Sequence, residues 1–230
     1  MSLREIVWDT ETTGFEPEAG DRIVEIGAVE LVGHVPTGRV FHEYIDPQRD
    51  MPQGAFEVHG LSTEFLRGKP LFAEVGRKFL DFVGDAKLVA HNAAFDMKFV
   101  NAELGWAGLP VIPEERAVDT LEIARRRFPG ARNSLDALCA RYGVDNSARE
   151  KHGALLDSEI LAEVYLELIG GKQPGLDMAM PAARGAAAAA GPVGARPRPL
   201  PPRITDAERA AHAAFVREEI EGALWLRSAG

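Results

Sequence analysis

The sequence has little of several features that mark whole classes of protein. Its 230 residues include one cysteine, Cys139, which excludes a disulfide framework and a zinc cluster built on thiolates. No apolar run approaches the length of about 20 residues that spans a bilayer. The first residues run into one short apolar strand and then into acids, unlike a signal peptide. We therefore expect a protein of the reducing cytoplasm that has no membrane partner.

An excess of positive charge is also missing. The formal net charge is -9, and this alone argues against a nucleic-acid binder, because such proteins usually carry a basic footprint. The charges are unevenly distributed, however, since acids dominate residues 1–30 and arginines dominate residues 125–151. An acidic cation pocket rimmed by arginines has this distribution. A solvated surface on which charges cluster by chance would show the same distribution, so the charge pattern leaves both interpretations open.

The pattern of apolar residues predicts one α/β domain. Strands are predicted at residues 5–9, 22–31, 39–45 and 87–91. Helices are predicted after Pro70, through Phe95–Leu104, from Asp119 to Phe128, over 134–142 and over 154–169. The short connections between the first three strands favour antiparallel pairing. Strands that then alternate with helices imply a mixed sheet flanked by helices, in a domain over residues 1–170.

The composition changes after this domain. Residues 171–203 are rich in alanine, proline and glycine, and such a segment has too little to bury and is expected to form a flexible linker. Beyond it, Thr205 and Glu208 match a capping box, and residues 204–230 carry apolar side chains at helical spacing. A short amphipathic helix at the end of a linker has no core of its own. We expect its apolar face to bind a partner protein.

The first segment with chemical potential contains Asp9 and Glu11. Side chains alternate along a strand, so these two carboxylates project to the same side. Two carboxylates so close together repel each other unless a cation lies between them. An exposed strand end that leads into a turn at Thr12-Thr13-Gly14 is the alternative. The pair alone does not decide between them.

The second segment is His91–Asp96, which follows the predicted strand at 87–91. Asp96 falls at the opening of a helix, and ligands bind at the carboxyl ends of strands in α/β sheets. Aspartate is also favoured near helix N-termini in any protein, where it stabilises the first turn. In isolation, this motif is as consistent with helix capping as with function.

The third segment is His152–Asp157. Asp157 lies in a helix whose other face is apolar, and a carboxylate among such neighbours is costly to bury unless it is paired or bound to metal. His152 stands just before the helix, in a predicted loop from which it can reach a substrate. The alternative is a surface histidine and a solvated aspartate beside Glu159 and Glu163.

Taken together, the three segments supply four acids and one histidine at strand ends and helix starts. Oxygen ligands select hard cations such as Mg²⁺ or Mn²⁺ over zinc. Two such cations can activate a water and stabilise the phosphate in an in-line displacement. Histidine is the side chain suited to accept a proton near neutral pH. This set of residues is typical of a phosphodiesterase.

The same segments resemble a known family. Asp9-Thr-Glu-Thr-Thr-Gly14, His91-Asn-Ala-Ala-Phe-Asp96 and His152-Gly-Ala-Leu-Leu-Asp157 are similar to the three motifs of the DnaQ-type, or DEDDh, 3′→5′ exonucleases. The segments Val58–Leu61 and Phe128–Tyr142 resemble the proofreading epsilon subunits of bacterial DNA polymerase III within that family. The resemblance covers residues 5–170, and the order and spacing of the motifs agree.

The resemblance implies a ribonuclease-H-like fold with a five-stranded mixed sheet and hydrolysis that releases nucleoside 5′-monophosphates. Two divalent cations, Mg²⁺ or Mn²⁺, would be held by Asp9, Glu11, Asp96 and Asp157, with Asp9 bridging both. His152 would be the general base. The pocket for the terminal nucleotide of a DNA 3′ end would be lined by Thr12, Thr13, Val58, His59 and Phe95. Many relatives have an acid five residues before the pocket histidine, where this sequence has Gly54; Glu57 is out of register.

The tail resembles two binding segments of the epsilon subunits. Gln173–Met178 is similar to a peptide that binds the sliding clamp, although Met178 stands where an aromatic residue is more usual. Residues 204–230 resemble the part that anchors epsilon to the polymerase catalytic (alpha) subunit. An exonuclease held beside the primer end by a linker gains from high effective concentration.

Two other hypotheses are consistent with parts of the sequence. An RNA-directed member of the same family would share the catalytic motifs, but such enzymes generally end near the catalytic helix. A structural subunit that bridges polymerase and clamp would keep the tail and lose the catalytic residues. The presence of both the tail and all five catalytic residues favours a proofreading exonuclease.

Overall fold

The computed structural model describes residues 3–149, 151–170 and 204–219. The described residues belong to two units, one that contains everything up to residue 170 and one that contains residues 204–219. The predicted linker at 171–203 and the predicted clamp-binding peptide at 173–178 lie outside the described residues. The domain boundaries therefore stay predictions.

Five strands form one mixed sheet in the order β3-β2-β1-β4-β5. They are β1 (Arg4–Thr12), β2 (Ile23–Val32), β3 (Val35–Tyr44), β4 (Lys87–Ala90) and β5 (Ala117–Asp119). β2 pairs antiparallel with β1 and β3, whereas β4 pairs parallel with β1 and β5. The predicted α/β class and mixed sheet are confirmed. The carboxyl ends of β1, β4 and β5 consequently meet at one edge of the sheet.

Seven helices are described in the first unit. They are α1 (Gln53–His59), α2 (Thr63–Leu66), α3 (Phe72–Val83), α4 (Ala93–Trp106), α5 (Thr120–Arg127), α6 (Leu135–Tyr142) and α7 (Ala154–Ile169). The five longest follow the predicted bounds closely. The local pattern does not predict α1 and α2, which have seven and four residues.

The helices cover both faces of the sheet. One core lies between the sheet and helices α3 and α4, where Trp8 is fully buried and its ring lies 5.4 Å from that of Phe79. The other core lies between the sheet and helices α5, α6 and α7 and includes Val7. Neighbouring residues of β1 enter opposite cores, so the strand is largely apolar on both faces. Its one acid before Asp9 is Glu5, which is buried and accepts a hydrogen bond from the Tyr165 hydroxyl at 2.7 Å.

Several helix ends are fixed by the side chains that the sequence indicates. Asp119 accepts a hydrogen bond from the Leu121 N–H at 2.8 Å, and Ser134 accepts one from the Ala137 N–H at 3.3 Å. These bonds satisfy amides that have no partner inside the helix. Asp119 and Ser134 are therefore the N-caps of α5 and α6.

The second unit consists of α8 (Asp206–Glu219). Its capping box is present, since the Glu208 carboxylate accepts from the Thr205 N–H at 2.7 Å and the Glu208 N–H donates to the Thr205 hydroxyl at 3.2 Å. Residues 220–230 of the predicted helical segment lie outside the described residues. Among the helices that are described, none combines the length and the apolarity needed to cross a membrane.

Candidate active site

The first two acids lie at the carboxyl end of β1. Asp9 is opposite Gly27 of β2, and Glu11 is opposite Glu25. At this place the first turn of α7 packs directly on β2. A Cβ atom on Gly27 would lie 2.1 Å from the Leu155 nitrogen, so only glycine permits the contact. The contact places the start of α7 against the two acids.

Asp96 reaches the same place from the start of α4. Its side chain is buried, and its carboxylate accepts hydrogen bonds from the Thr10 N–H at 3.1 Å and the Thr10 hydroxyl at 2.7 Å. Thr10 lies on β1 between the first two acids. Asp96 is thus hydrogen-bonded to β1 and does more than cap its own helix.

Asp157 and His152 complete the set. Asp157 is 3% exposed in the first turn of α7, so the alternative of a solvated aspartate is wrong. His152 lies in the loop before α7, half exposed, with its Nδ1 3.3 Å from an Asp157 oxygen. One ligand atom each from Glu11, His152 and Asp157 fall within 4.8 Å of one another.

Arg149 is a further residue of the site that the sequence pattern does not single out. Its guanidinium binds both oxygens of Asp157, at 2.5 Å and 2.7 Å, and it also contacts Asp136 at 2.7 Å and His152 Nδ1 at 2.7 Å. The side chain is only 9% exposed. The available signal was the arginine-rich stretch at 125–151 and the need of a buried Asp157 for a partner.

One cavity of about 300 Å³ joins these side chains. All five predicted catalytic residues line it, together with Phe95 from the predicted nucleotide pocket. Asn92, Ser134 and Asp136 also line it, and the sequence pattern does not predict a role for them. Asn92 has a left-handed backbone with φ of 72°, a conformation that costs free energy in a residue other than glycine. The strained residue lies where β4 turns into α4.

The electrostatics of the cavity differ from one carboxylate to the next. Burial, followed by repulsion from neighbouring acids, raises the pKa of Asp9 well above its usual range and that of Glu11 to about 8. Burial also raises the pKa of Asp96 to about 7, although the Thr10 hydrogen bonds oppose it. Burial acts in the same direction on Asp157, but hydrogen bonds and charge from the protonated form of His152 and from Arg149 outweigh it and lower its pKa.

The four other residues predicted for the nucleotide pocket lie beside the cavity. The Thr12 hydroxyl donates to the Gly14 carbonyl at 2.6 Å, and the Thr13 hydroxyl donates to Asp21 at 3.2 Å, so both serve their own loop. Val58 and His59 lie on α1, which is bound to the catalytic loop because the His152 N–H donates to the Val58 carbonyl at 3.2 Å.

The neutral ring of His59 can donate a hydrogen bond from Nε2. It is 6% exposed, and its Nδ1 accepts from the Leu61 N–H at 3.1 Å. Burial lowers its pKa and outweighs the opposing contribution of the nearby Thr12 backbone. In the neutral ring the proton is then on Nε2, which has no hydrogen-bond partner among the described residues. A buried donor without a partner is costly unless a ligand satisfies it.

The resemblance leads us to expect an acid at position 54, where the chain has glycine. Gly54 lies exposed in the first turn of α1, and a Cβ atom added to it would have no atom within 4 Å. Glu57 is exposed and accepts a hydrogen bond from Gln53 at 2.9 Å. Neither residue supplies an acid at this position.

The donor set of the cavity fits divalent cations. Its ligands are carboxylate oxygens, which hard cations prefer. Burial is the main cause of the raised pKa values of Asp9, Glu11 and Asp96, and repulsion from neighbouring acids adds to it, while Arg149 opposes it only at Asp9 and Glu11. A cation would relieve this repulsion. The fold and the site therefore define a nuclease of the divalent-metal class.

Comparison with known proteins places the chain more narrowly. Residues 6–165 match the Exonuclease (RNase_T) family. The DNA polymerase III subunit epsilon of Rickettsia felis is 55% identical over 180 residues, which cover 77% of this chain and 79% of that protein. The subunit epsilon of Escherichia coli (strain K12) is 51% identical over 176 residues, covering 74% and 72%.

Solved structures agree in fold. Exonuclease X in complex with 5′ overhanging duplex DNA aligns with a TM-score of 0.54 at 25% identity, covering 73% of this chain and 90% of that chain. The nuclease domain of 3′hExo, a DEDDh family member bound to rAMP, aligns with a TM-score of 0.64 at 19% identity, covering 73% and 92%.

The chain belongs to the Exonuclease family and, within it, to the DnaQ-type DNA polymerase III epsilon subunits. It is a 3′→5′ exonuclease of the kind that proofreads, in a family that uses divalent metals. Glu11, His152 and Asp157 are a group that could hold such a metal. The predicted family, ribonuclease-H-like fold and enzyme class are confirmed.

Proposed function

We propose that this cavity hydrolyses the 3′-terminal phosphodiester of a DNA primer and releases a nucleoside 5′-monophosphate, as the proofreading step of a DNA polymerase III complex. The observation that carries the proposal is the convergence of Asp9, Glu11, Asp96, His152 and Asp157 on one cavity. They come from β1, α4, α7 and the loop before α7. Each of them had a plausible structural explanation when considered alone.

Asp9, Glu11, Asp96 and Asp157 are proposed to hold two divalent cations, with Asp9 shared between them. When bound, such cations activate a water and neutralise charge on the phosphate and the leaving 3′-oxygen. Both Mg²⁺ and Mn²⁺ suit an all-oxygen site. The Thr10 hydrogen bonds keep Asp96 turned toward β1, and Arg149 keeps Asp157 ionised at neutral pH.

His152 is proposed to take the proton of the attacking water. A guanidinium has donors only, so His152 Nδ1 accepts from Arg149 and the neutral ring carries its proton on Nε2. The lone pair of the neutral ring is therefore on Nδ1, where it accepts the hydrogen bond from Arg149. We infer that the Arg149–His152 hydrogen bond opens before Nδ1 accepts a proton, and that Arg149 orients the ring until then.

The terminal nucleotide is proposed to lie between Phe95 and α1. Phe95 lines the cavity beside Asp96 and offers an aromatic face to a base or sugar. His59 Nε2 offers the donor described above. Val58 is 48% exposed and offers apolar surface. Thr12 and Thr13 contribute through the shape of their loop, because their hydroxyls already donate within it.

The partners are proposed from the resemblance and from the names of the relatives. Residues 204–230 would anchor the exonuclease to the polymerase catalytic (alpha) subunit, and Gln173–Met178 would bind the sliding clamp. Residues 171–203 would be the linker between the exonuclease domain, residues 1–170, and that anchor. A replisome subunit of this kind works in the bacterial cytoplasm.

A primer assay tests the proposed function. A 5′-labelled DNA primer with a mismatched 3′ terminus is annealed to a template and incubated with Mg²⁺, with Mn²⁺ or with a chelator. We expect stepwise shortening from the 3′ end with either cation, release of nucleoside 5′-monophosphates, and no cleavage with the chelator. A clear preference for an RNA primer of the same sequence would contradict a role in DNA proofreading.

A further inference from the structure

A second cavity, of about 590 Å³, lies beside the candidate active site. It is formed by α5 and by the loop between α5 and α6, and its walls include Leu121, Arg125, Gly130 and Asn133. His91 and Ser134 line both this cavity and the candidate active site. The two cavities are therefore adjacent, with His91 and Ser134 between them.

Arg125 is the charged residue of this second cavity. It belongs to a run of three arginines in the last turn of α5. Arg126 pairs with Glu122 at 3.6 Å, and Arg127 donates to the carbonyls of Glu167 and Leu168 at 3.1 Å and 2.6 Å. Within the described parts of the chain, Arg125 has neither a salt bridge nor a side-chain hydrogen bond. Its guanidinium is available to a ligand.

The loop that forms the wall of the cavity is held in place. Asn133 is buried, and its side-chain amide donates to the carbonyls of Phe128 and Ala131 at 3.3 Å and 3.1 Å. Arg141 in turn donates to the Arg132 carbonyl at 3.1 Å. The cavity is thus preformed, which lowers the entropy that a ligand loses on binding.

The sign of the charge changes between the two cavities. Acids surround the candidate active site, whereas the second cavity contains no acid among its lining residues and presents Arg125. When the scissile phosphate of an extended substrate strand lies at the acids, the phosphates on its 5′ side lie outside that cavity, in a neighbouring space. Arginine binds phosphate oxygens with paired hydrogen bonds. The volume is sufficient for one nucleotide unit.

We propose that the second cavity binds the phosphodiester backbone of the substrate strand on the 5′ side of the scissile bond, with Arg125 as the phosphate contact. This inference rests on the proposed function, since it assumes that the scissile bond lies at the acids. It assigns Arg125 to substrate binding and leaves the chemical step to the other cavity. A substrate with a single nucleotide ends before it reaches Arg125.

The difference between short and long substrates tests the proposal. Arg125→Gln is compared with the wild type on a single-stranded oligothymidylate and on the 4-nitrophenyl ester of thymidine 5′-monophosphate. We expect kcat/KM for the oligonucleotide to fall about tenfold, chiefly through a higher KM. The slope of log affinity against log salt concentration is expected to decrease by about one, the value for one lost phosphate contact. Hydrolysis of the ester is expected to stay unchanged. Arg125→Lys is expected to recover most of the loss.

Arg126→Gln is the matched control, because Arg126 lies next in the same helix and is already paired. It is expected to leave both substrates unaffected. An equal fall on both substrates, or an unchanged rate on the oligonucleotide, would overturn the assignment of Arg125. Anisotropy of a labelled oligonucleotide with chelator present measures the same contact without catalysis. A wild type that binds the strand through Arg125 but hydrolyses neither substrate would instead overturn the proposed function.

Discussion

The acids of the candidate site differ because their nearest neighbours differ. Glu11 lies opposite another acid, Glu25, and close to Asp157 and Asp96, so its pKa is raised to about 8 after burial has acted first. Asp157 has Arg149 within hydrogen-bond distance, and its pKa is lowered. One cavity thus contains carboxyl groups that retain protons near neutral pH and one that does not.

This arrangement predicts how stability depends on pH in the presence of a chelator. Glu11 and Asp96 have higher pKa values in the folded state than in the unfolded state. They stabilise fully below the unfolded value, and that contribution is lost as pH rises through the folded values of about 8 and about 7. The free energy of unfolding, measured with denaturant, is therefore expected to fall from pH 5 to 8.

The comparison with Glu11→Gln isolates the contribution of one of these groups. The amide cannot ionise, so the difference in unfolding free energy between the two proteins is expected to grow in favour of the variant as pH rises. A difference that is constant from pH 5 to 8 would contradict a raised pKa of Glu11.

A second prediction concerns Arg149. A cation that binds Asp157 shares that carboxylate with the guanidinium, which holds both oxygens. Arg149→Gln is therefore expected to bind Mn²⁺ several-fold more tightly in a calorimetric titration, and to have a lower kcat because His152 loses its orienting contact. Arg141→Gln is the control for Mn²⁺ binding, since Arg141 hydrogen-bonds to Asn133 and the Arg132 carbonyl and lies over the Phe128 ring, and within the described residues it pairs with none of the four site acids. Weaker Mn²⁺ binding by Arg149→Gln would show that the arginine supports the loaded site.

The sequence alone predicts some of these residues and not others. Strand alternation makes Asp9 and Glu11 candidates, and places at helix starts do the same for Asp96 and Asp157. The joint occurrence of the three motifs, and their resemblance to the family, select them as a site. Arg149 does not follow from any local period, because its contacts depend on how the loop before α7 folds back on that helix. The role of His59 Nε2 as a donor likewise depends on the hydrogen bond that the Leu61 N–H donates to Nδ1, the other ring nitrogen. The sequence does not predict that contact.

At the scale of elements, the contact between α7 and β2 determines whether the site forms. The Ser158 hydroxyl lies 2.7 Å from the Ala154 carbonyl and 2.9 Å from the Gly27 carbonyl, so its one proton is shared between them. The backbone of Ala154 and Leu155 leaves no room for a Cβ on Gly27. Through this contact, Asp157 of α7 comes to lie beside the acids of β1. The helix is predicted from its apolar stripe, but its close approach to the sheet is not.

Gly27→Ala is expected to destabilise the protein by about 1–3 kcal/mol, because the methyl group forces α7 away from the sheet. Activity is expected to fall more than stability, since Asp157 moves with the helix. Gly105→Ala is the control: Gly105 lies in α4 with no atom within 4 Å of a Cβ, and alanine there is expected to stabilise slightly. Unfolding curves and primer cleavage measure both effects. A Gly27→Ala protein with wild-type stability would disprove the close contact.

Element length explains which parts of the fold are predictable. The helices α3, α4 and α7 have 12, 14 and 16 residues, long enough for their apolar stripes to recur several times. The strand β5 has three residues and α2 has four, too few to show any period. The sheet's fifth strand is therefore implied by the family resemblance and not by its own residues.

At the scale of the whole molecule, catalysis is proposed to reside in residues 1–170 and recruitment to the polymerase in the tail. The described site lies entirely within residues 9–157. Truncation at about residue 180 is therefore expected to leave exonuclease activity on single strands intact. It is expected to abolish association with the polymerase catalytic subunit, as measured by co-purification. Continued co-purification of the truncated protein would place the anchor elsewhere.

The central claim is that Asp9 and its four partners form one hydrolytic centre that acts at DNA 3′ ends. The most direct measurement compares Asp9→Ala with the wild type on the mismatched primer, with Asp50→Ala as a control at an exposed acid. The account predicts that Asp9→Ala folds, gives a normal circular dichroism spectrum and loses at least about a thousandfold in cleavage rate, of the order that loss of a metal ligand entails. Robust cleavage by Asp9→Ala would contradict it.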